Sequence, residues 1–115
     1  MKPPSIFQDR VESFGFNTAH VATISSSLST LAKQFNFGFE HEIDDLEERE
    51  IAYLKLEDGF RFYLCKYKSR PESIVELFFC SKLDDWEHWL EQVSAALGIA
   101  SSELLWKNAA YMKTP

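Results

Sequence analysis

The chain has 115 residues, a length typical of one domain, and we expect a single compact domain over residues 1–115 without a linker. Its residues are 45% hydrophobic and 15% aromatic, which is too apolar for a disordered chain. The formal net charge of −6 repels polyanions, so neither nucleic acid nor an anionic membrane is an expected partner.

Nothing in the sequence predicts export or membrane insertion. The stretch MKPPSIFQDR has prolines and charges where a secretory signal needs an apolar run. No apolar stretch approaches the roughly 18 residues of a membrane helix. Cys65 and Cys80 have no metal-ligand spacing and are too few for a disulfide framework. We therefore expect a cytoplasmic protein with two reduced thiols.

The first third of the chain predicts two helices. Ser5 and Gln8 stand at capping-box spacing, so a short helix is expected from Ser5 to Gly15. A longer helix is expected from Ala19 to Phe35, because apolar residues recur there every three or four positions. The residues of this stripe are Val21, Ile24, Leu28, Leu31, Ala32 and Phe35.

After Asn36 the apolar residues alternate with polar ones, which is the pattern of strands. The four predicted strands cover residues 37–44, 50–56, 60–68 and 73–80. A helix from about Leu83 to Leu97 should follow and end at Gly98, and a last short helix should begin at Ser101 or Ser102. The predicted fold class is α+β: a four-stranded antiparallel meander with N-terminal and C-terminal helices packed mainly on one face, in the order ααββββαα.

The turn between the second and third predicted strands decides which strand faces are apolar. A three-residue loop with a left-handed Gly59 pairs Leu56 with Phe60, whereas a two-residue Asp58-Gly59 turn leaves both faces mixed. We predict the three-residue loop, because a slip of one residue would invert the faces. The pairs expected between the next two strands are Phe62 with Phe79 and Leu64 with Leu77.

This register leaves the other sheet face unusually apolar, with an aromatic row Tyr53–Tyr63–Phe78 and with Tyr67 beside it. Contiguous aromatic surface rimmed by charge commonly marks an interaction face. Three alternatives remain open at this point. The first is that the short N-terminal helix, or the C-terminal segment with Leu104, Leu105 and Trp106, covers the face. The second is that two copies form a homodimer through it, and the third is that it binds a different partner or ligand.

Acidic residues are dense between positions 40 and 50, in the connection around the first two strands. The predicted acidic patch consists of Glu40, Glu42, Asp44, Asp45, Glu47 and Glu48. Its spacing lacks the alternating pattern of a calcium loop, so we predict no metal site. The patch is either a solvated connection that discourages edge-to-edge pairing or a surface that steers a basic partner.

Two tryptophans stand three residues apart in the predicted helix that begins near Leu83. Trp86 falls on the apolar stripe and is predicted to be core. Trp89 falls at the edge of the stripe, half exposed, and is a candidate contact with something outside the fold.

No motif for nucleotide binding, nucleophilic catalysis or zinc hydrolysis occurs, and the three histidines are scattered. We therefore predict no cofactor and no catalytic residues. The expected function is that of a non-catalytic, acidic protein-interaction module such as an adaptor, inhibitor, immunity-type protein or chaperone. The expected partner is another protein, for which a basic surface would suit the acidic patch, or a second copy of the chain. The alternative is a small-ligand-binding protein or enzyme with an aromatic pocket between sheet and helix, built from Tyr53, Tyr63, His41 and Cys65.

Overall fold

The computed structural model describes residues 5–9, 19–43, 47–80 and 84–107. These residues form seven β-strands, two α-helices and one turn of 3-10 helix. The elements in chain order are β1 (Ile6–Gln8), β2 (Ala19–Ser25), α1 (Leu28–Phe35), β3 (Glu40–Ile43), β4 (Glu48–Leu56), β5 (Arg61–Tyr67), β6 (Ile74–Phe79), α2 (Trp86–Leu97), the 3-10 turn (Ser101–Glu103) and β7 (Leu104–Lys107).

All seven strands belong to one antiparallel sheet in the order β1-β4-β5-β6-β2-β7, with β3 also paired to β4. The short strands β1 and β3 share one side of β4, since β1 pairs with residues 54–56 and β3 with residues 48–51. Strand β7 lies at the other end of the sheet.

The predicted four-stranded meander with the order ααββββαα is wrong. The pairings β3–β4, β4–β5 and β5–β6 are those of a meander, but β2 and β7 extend the sheet beyond β6 and β1 extends it along β4. The helix expected from Ser5 to Gly15 is also wrong at its start, because Ile6–Gln8 is a strand. The rest of that predicted helix, from residue 10 onward, lies outside the described residues.

The first half of the helix predicted from Ala19 to Phe35 is a strand, β2. Its β-branched residues Val21, Thr23 and Ile24 favour extended backbone. The register shifts by one residue between β2 and β6 at Val21, as in a β-bulge. Val21 and Ile24 therefore both reach the core, and their separation of three imitates the spacing of a helix face.

Helix α1 is the remaining half of that prediction. It begins after Ser27, whose Oγ accepts a hydrogen bond from the Thr30 N–H at 3.4 Å. It ends at Asn36, which adopts the left-handed conformation with φ 57°. The serine-rich stretch of residues 25–29 thus ends β2 and caps α1.

The predicted C-terminal helix is also wrong in part. Ser101–Glu103 forms a single 3-10 turn, and the chain then continues as the strand β7. Helix α2 is confirmed from Trp86 to Leu97, and Gly98 ends it in the left-handed conformation at φ 68°. The predicted start at Leu83 lies outside the described residues.

The predicted register is confirmed. The Leu56 N–H donates to the Phe60 carbonyl at 2.8 Å across a loop in which Gly59 has φ 95°. The expected pairs of the next two strands, Phe62 with Phe79 and Leu64 with Leu77, are present.

The core lies between the sheet and both helices. Residues from α1 and α2 share one buried cluster with the inward residues of four neighbouring strands. The largest of these are Leu28, Leu31, Trp86, Leu90, Leu54, Phe62, Leu64, Leu77, Phe79 and Ile24. Burial of this much apolar surface is the main stabilising term of a domain this size. We use the term helix face for this side of the sheet and far face for the other.

Candidate functional site

Five ring side chains cross the far face. In the predicted row, the ring centroids of Tyr53 and Tyr63 are 5.9 Å apart and those of Tyr63 and Phe78 are 4.7 Å apart. The row continues on β2, where His20 pairs with Phe78 and stacks on it at 4.8 Å. It ends on β7, where the Trp106 ring lies 4.7 Å from that of His20. We name these five residues the ring row.

The sequence patterns miss His20 altogether, and for Trp106 they offer only a helical segment folded over the face, whereas it lies on a strand of the sheet. Both residues fall in segments that predict helices. Their contact depends on the strand order β6-β2-β7, which joins distant parts of the chain. The only local signal for β2 is its content of β-branched residues, which the apparent helical stripe outweighs.

Exposure increases along the ring row toward β7. Tyr53 and Tyr63 are buried, at 7% and 6% of their surface, and Phe78 is partly buried. At the far end, Trp106 is 44% exposed and its neighbour Leu105 is 55% exposed. The accessible apolar surface of the row is therefore at the β2–β7 end.

A buried carboxylate supports that end of the row. Glu76 of β6 has a side chain only 3% exposed, and its Oε2 accepts hydrogen bonds from Thr23 Oγ1 and His20 Nε2, each at 2.6 Å. His20 Nε2 also lies 3.2 Å from the Ala22 carbonyl oxygen, so it faces two acceptors and carries a proton. Arg70 Nε is 3.8 Å from Glu76 Oε1. The carboxylate thereby orients the imidazole against which Trp106 packs.

The bulge in β2 makes this arrangement possible. In a regular strand, residues three apart point to opposite faces. The extra residue Val21 places His20 and Thr23 on the same face, where both bind Glu76.

Strand β7 also has an irregular register, between its pairings Thr23–Trp106 and Ile24–Leu104. The residue between them, Leu105, lines the same far-face hollow as Trp106, whereas Leu104 packs toward the core of the helix face. Lys107 lines a groove beside α2. The side chains of β7 thus point in the order helix face, far face, far face, helix face.

Two depressions flank β7. On the far face, a hollow of about 460 Å³ is lined by His20, Thr23, Arg70, Ile74, Leu105 and Trp106. On the helix face, a groove of about 660 Å³ runs between α2 and β7. Its apolar lining includes Leu90, Ile99 and Leu104, and Glu87, Glu91 and Lys107 supply charge.

The opposite end of the ring row is tied into a partly buried polar network. The Tyr53 hydroxyl donates to Glu42 Oε2 at 2.6 Å, and Arg49 Nη2 donates to Glu42 Oε1 at 3.1 Å. Burial, followed by the nearby Glu42 carboxylate, raises the pKa of Tyr53. Burial likewise raises the pKa of Tyr67 and brings that of the Cys65 thiol to about 11. These groups stay neutral at physiological pH, and the thiol is a poor nucleophile.

The predicted acidic patch is largely engaged in internal contacts. Besides Glu42, Glu47 Oε2 accepts the Ser69 N–H at 3.1 Å, and Glu48 Oε2 accepts from Lys68 Nζ at 3.0 Å. The Lys68 contact lowers the pKa of Glu48. Glu40 is exposed on β3. Asp44 and Asp45 lie outside the described residues.

Trp86 and Trp89 belong to the helix face, away from the ring row. Trp86 is 2% exposed and lies in the core. The Trp89 ring stacks on Phe60 at 4.2 Å, and its Nε1–H donates to Asp85 Oδ2 at 3.1 Å. Trp89 is therefore packed within the fold, and a contact of this residue with a partner stays a prediction.

The described residues contain no group of three or more His, Cys, Asp or Glu side chains that could hold a metal ion. Among the described helices, none is long and apolar enough to cross a membrane. The chain matches no known family model, and no curated protein or solved structure is significantly similar to it.

Proposed function

We propose that the chain is a non-catalytic protein-interaction module that binds its partner at the β7 end of the sheet. The observation that carries this proposal is the exposure of two large apolar residues, Leu105 and Trp106, side by side on an edge strand. Sheet edges are usually protected by charge, proline or a covering element, because exposed edges pair with other chains. An edge that instead presents apolar side chains is typical of a binding surface.

The mode of binding follows from the backbone. Within the described residues, β7 has a paired neighbour on one side only, which is β2. An extended segment of a partner protein adds to the free side through main-chain hydrogen bonds. Its alternate side chains enter the far-face hollow and the helix-face groove, so both depressions contribute to specificity.

The charges near β7 favour a partner segment with at least one basic side chain. Glu87 and Glu91 line the helix-face groove, and the net charge of −6 steers basic partners toward the chain. The acidic patch around β3 contributes less, because Glu42, Glu47 and Glu48 already have internal partners. An adaptor, inhibitor, immunity-type protein or chaperone fits this description, and we propose the cytoplasm as its compartment because both cysteines are free thiols.

A second candidate function is the binding of a small anionic molecule in the far-face hollow. The hollow combines the partly exposed Arg70 guanidinium with apolar walls from Ile74, Leu105 and the Trp106 ring, and binding pockets typically join apolar walls to a few polar groups.

Native mass spectrometry of the protein, purified gently from the cells that produce it, separates the two candidates. The interaction module predicts a protein complex that Trp106→Asp abolishes. The control is Ile43→Asp, since Ile43 is 77% exposed but is the one apolar residue of edge strand β3 and so lacks the neighbouring apolar side chain that Trp106 has on β7. A retained small molecule without any protein partner would contradict the proposal, as would a complex that Trp106→Asp leaves intact.

A further inference from the structure

We infer that the partner of the β7 edge is a second copy of this chain, paired antiparallel about a two-fold axis with Leu105 of each copy opposite Trp106 of the other. The inference rests on the proposed function of this edge. It is carried by the order in which the β7 side chains face, by the apolar pair at its centre and by the charges at its end.

The facing order of β7 selects one register. Residues directly opposite each other in an antiparallel pair point to the same face. The four residues of β7 point to the helix face, the far face, the far face and the helix face, which is a symmetric sequence. Only the register that pairs Leu104 with Lys107 and Leu105 with Trp106 matches the faces of all four residues.

The same register brings the exposed apolar side chains together. Leu105 and Trp106 of one copy lie opposite Trp106 and Leu105 of the other, so four large side chains meet around the axis on the far face. Each of these residues is about half exposed in the single chain. Their mutual burial supplies the apolar centre that a protein interface needs.

Charge complements this contact on the helix face. Lys107 of the second copy lies opposite Leu104, which lines the groove that also contains Glu87 and Glu91. The exposed ammonium group of each copy thus enters a groove of the other copy that is lined by two carboxylates and by that copy's own Lys107, so the groove is still acidic. Two copies of the contact form, because a two-fold axis repeats every interaction.

The assembly closes at two chains. Pairing about the two-fold axis occupies the free side of β7 in both copies, so no further chain can add there. The two sheets then form one continuous sheet across the dimer. The apolar contact is limited to a short strand, and interfaces at the small end of the range, below about 1,200 Å² in total, are weak and reversible. The dimer should therefore be concentration-dependent.

Sedimentation velocity of the purified chain over a wide concentration range tests the inference. We expect a reversible monomer–dimer equilibrium and, for Trp106→Asp, a dissociation constant at least about tenfold higher, as for a residue at the centre of an interface. Ile43→Asp on the opposite edge should leave the equilibrium unchanged. Circular dichroism spectra matching the wild type would show that both variants are folded.

A charge exchange tests the register with a second pair of variants. Lys107→Glu should not self-associate, because its new carboxylate meets the acidic groove, and Glu87→Lys/Glu91→Lys should not either, because its lysines meet Lys107. Mixed together, the two variants should form a heterodimer, in which both groove contacts are again between opposite charges. This pattern depends on contact between chains, so it does not arise from a change in folding.

A chain that stays monomeric at every concentration would overturn the inference, and so would a dimer indifferent to Trp106→Asp or variants that fail to associate when mixed. A chain that neither self-associates nor yields any protein complex in native mass spectrometry would refute both the second copy and the interaction module. A monomeric chain that still captures another protein at β7 would refute the second copy and leave the interaction module standing.

Discussion

Glu76 is the residue on which the exposed end of the ring row depends. Its carboxylate is buried among strands, and hydrogen bonds from Thr23 and His20 satisfy one of its oxygens. Buried charge persists in a fold only where such partners exist. Trp106 in turn packs against His20, so a polar group in the interior fixes the position of an apolar group at the surface.

Replacing this carboxylate should destabilise the fold. Glu76→Gln puts an amide where two donors converge, and hydrogen bonds to charged groups contribute about 1.5–3 kcal/mol each. We expect the free energy of unfolding in urea to fall by about 2 kcal/mol. Glu57→Gln is the control, since Glu57 is an exposed residue of the loop between β4 and β5. Equal stability of the two variants would show that the Glu76 network does not hold β2 against β6.

The buried thiol predicts a loss of stability at alkaline pH. Burial raises the pKa of Cys65 to about 11, whereas the unfolded chain releases this proton near pH 8.5. The folded state therefore binds more protons between these values, and stability falls as pH rises through the window. Below pH 8.5 the contribution of the thiol is constant.

Urea unfolding at several pH values between about 7 and 11 measures this slope. Cys65→Ala should give a shallower decline than the wild type. Some decline should remain, because burial also raises the pKa of Cys80 to about 11. The same slope in the wild type and in Cys65→Ala would contradict the assignment to Cys65.

Among the elements, the β4–β5 hairpin is the one whose loop residues have the largest effect on the fold, because they set the register of the sheet. Gly59 has φ 95° and an added Cβ would meet no neighbour within 4 Å, so the conformation of its backbone is its only constraint. This is the three-residue loop on which the register of the sheet depends.

Gly59→Ala should therefore lower the free energy of unfolding by about 1 kcal/mol, the typical penalty for a side chain at positive φ. Gly38→Ala is the matched control. Gly38 is not in the left-handed region, and an added Cβ would lie at an ordinary 3.6 Å from the Gln8 side chain. Thermal unfolding of both variants gives the comparison, and a larger loss for Gly38→Ala would contradict this account of the turn.

The elements that the sequence predicts correctly are those whose apolar residues repeat at a regular spacing within the element itself. Strands β3 to β6 alternate regularly, and α2 has both a clear stripe and a glycine stop. Strand β2 misleads because its bulge places Val21 and Ile24 on one side, as a helix would. Strand β7 misleads for a similar reason, since Leu105 and Trp106 are adjacent apolar residues on one face of an irregular strand.

At the scale of the whole molecule, the aromatic character of the far face is predictable and its accessible part is not. Tyr53, Tyr63 and Phe78 follow from the register of neighbouring strands. Their extension to Trp106 requires β2 and β7 to join the sheet beyond β6, a pairing between distant segments that no local pattern specifies. The candidate surface therefore lies at the β7 end of the sheet, whereas the sequence predicts it on β4, β5 and β6.

Photo-crosslinking from position 105 tests most directly whether the β7 edge is the contact surface. A photoreactive amino acid replaces Leu105 in one sample and Ile43, the exposed residue of β3, in the other, and the protein is irradiated in the cells that produce it. The account predicts a discrete protein adduct from position 105, mapped by mass spectrometry to β7 of a second copy, and little or none from position 43. No protein adduct from position 105, or equal adducts from both positions, would contradict it.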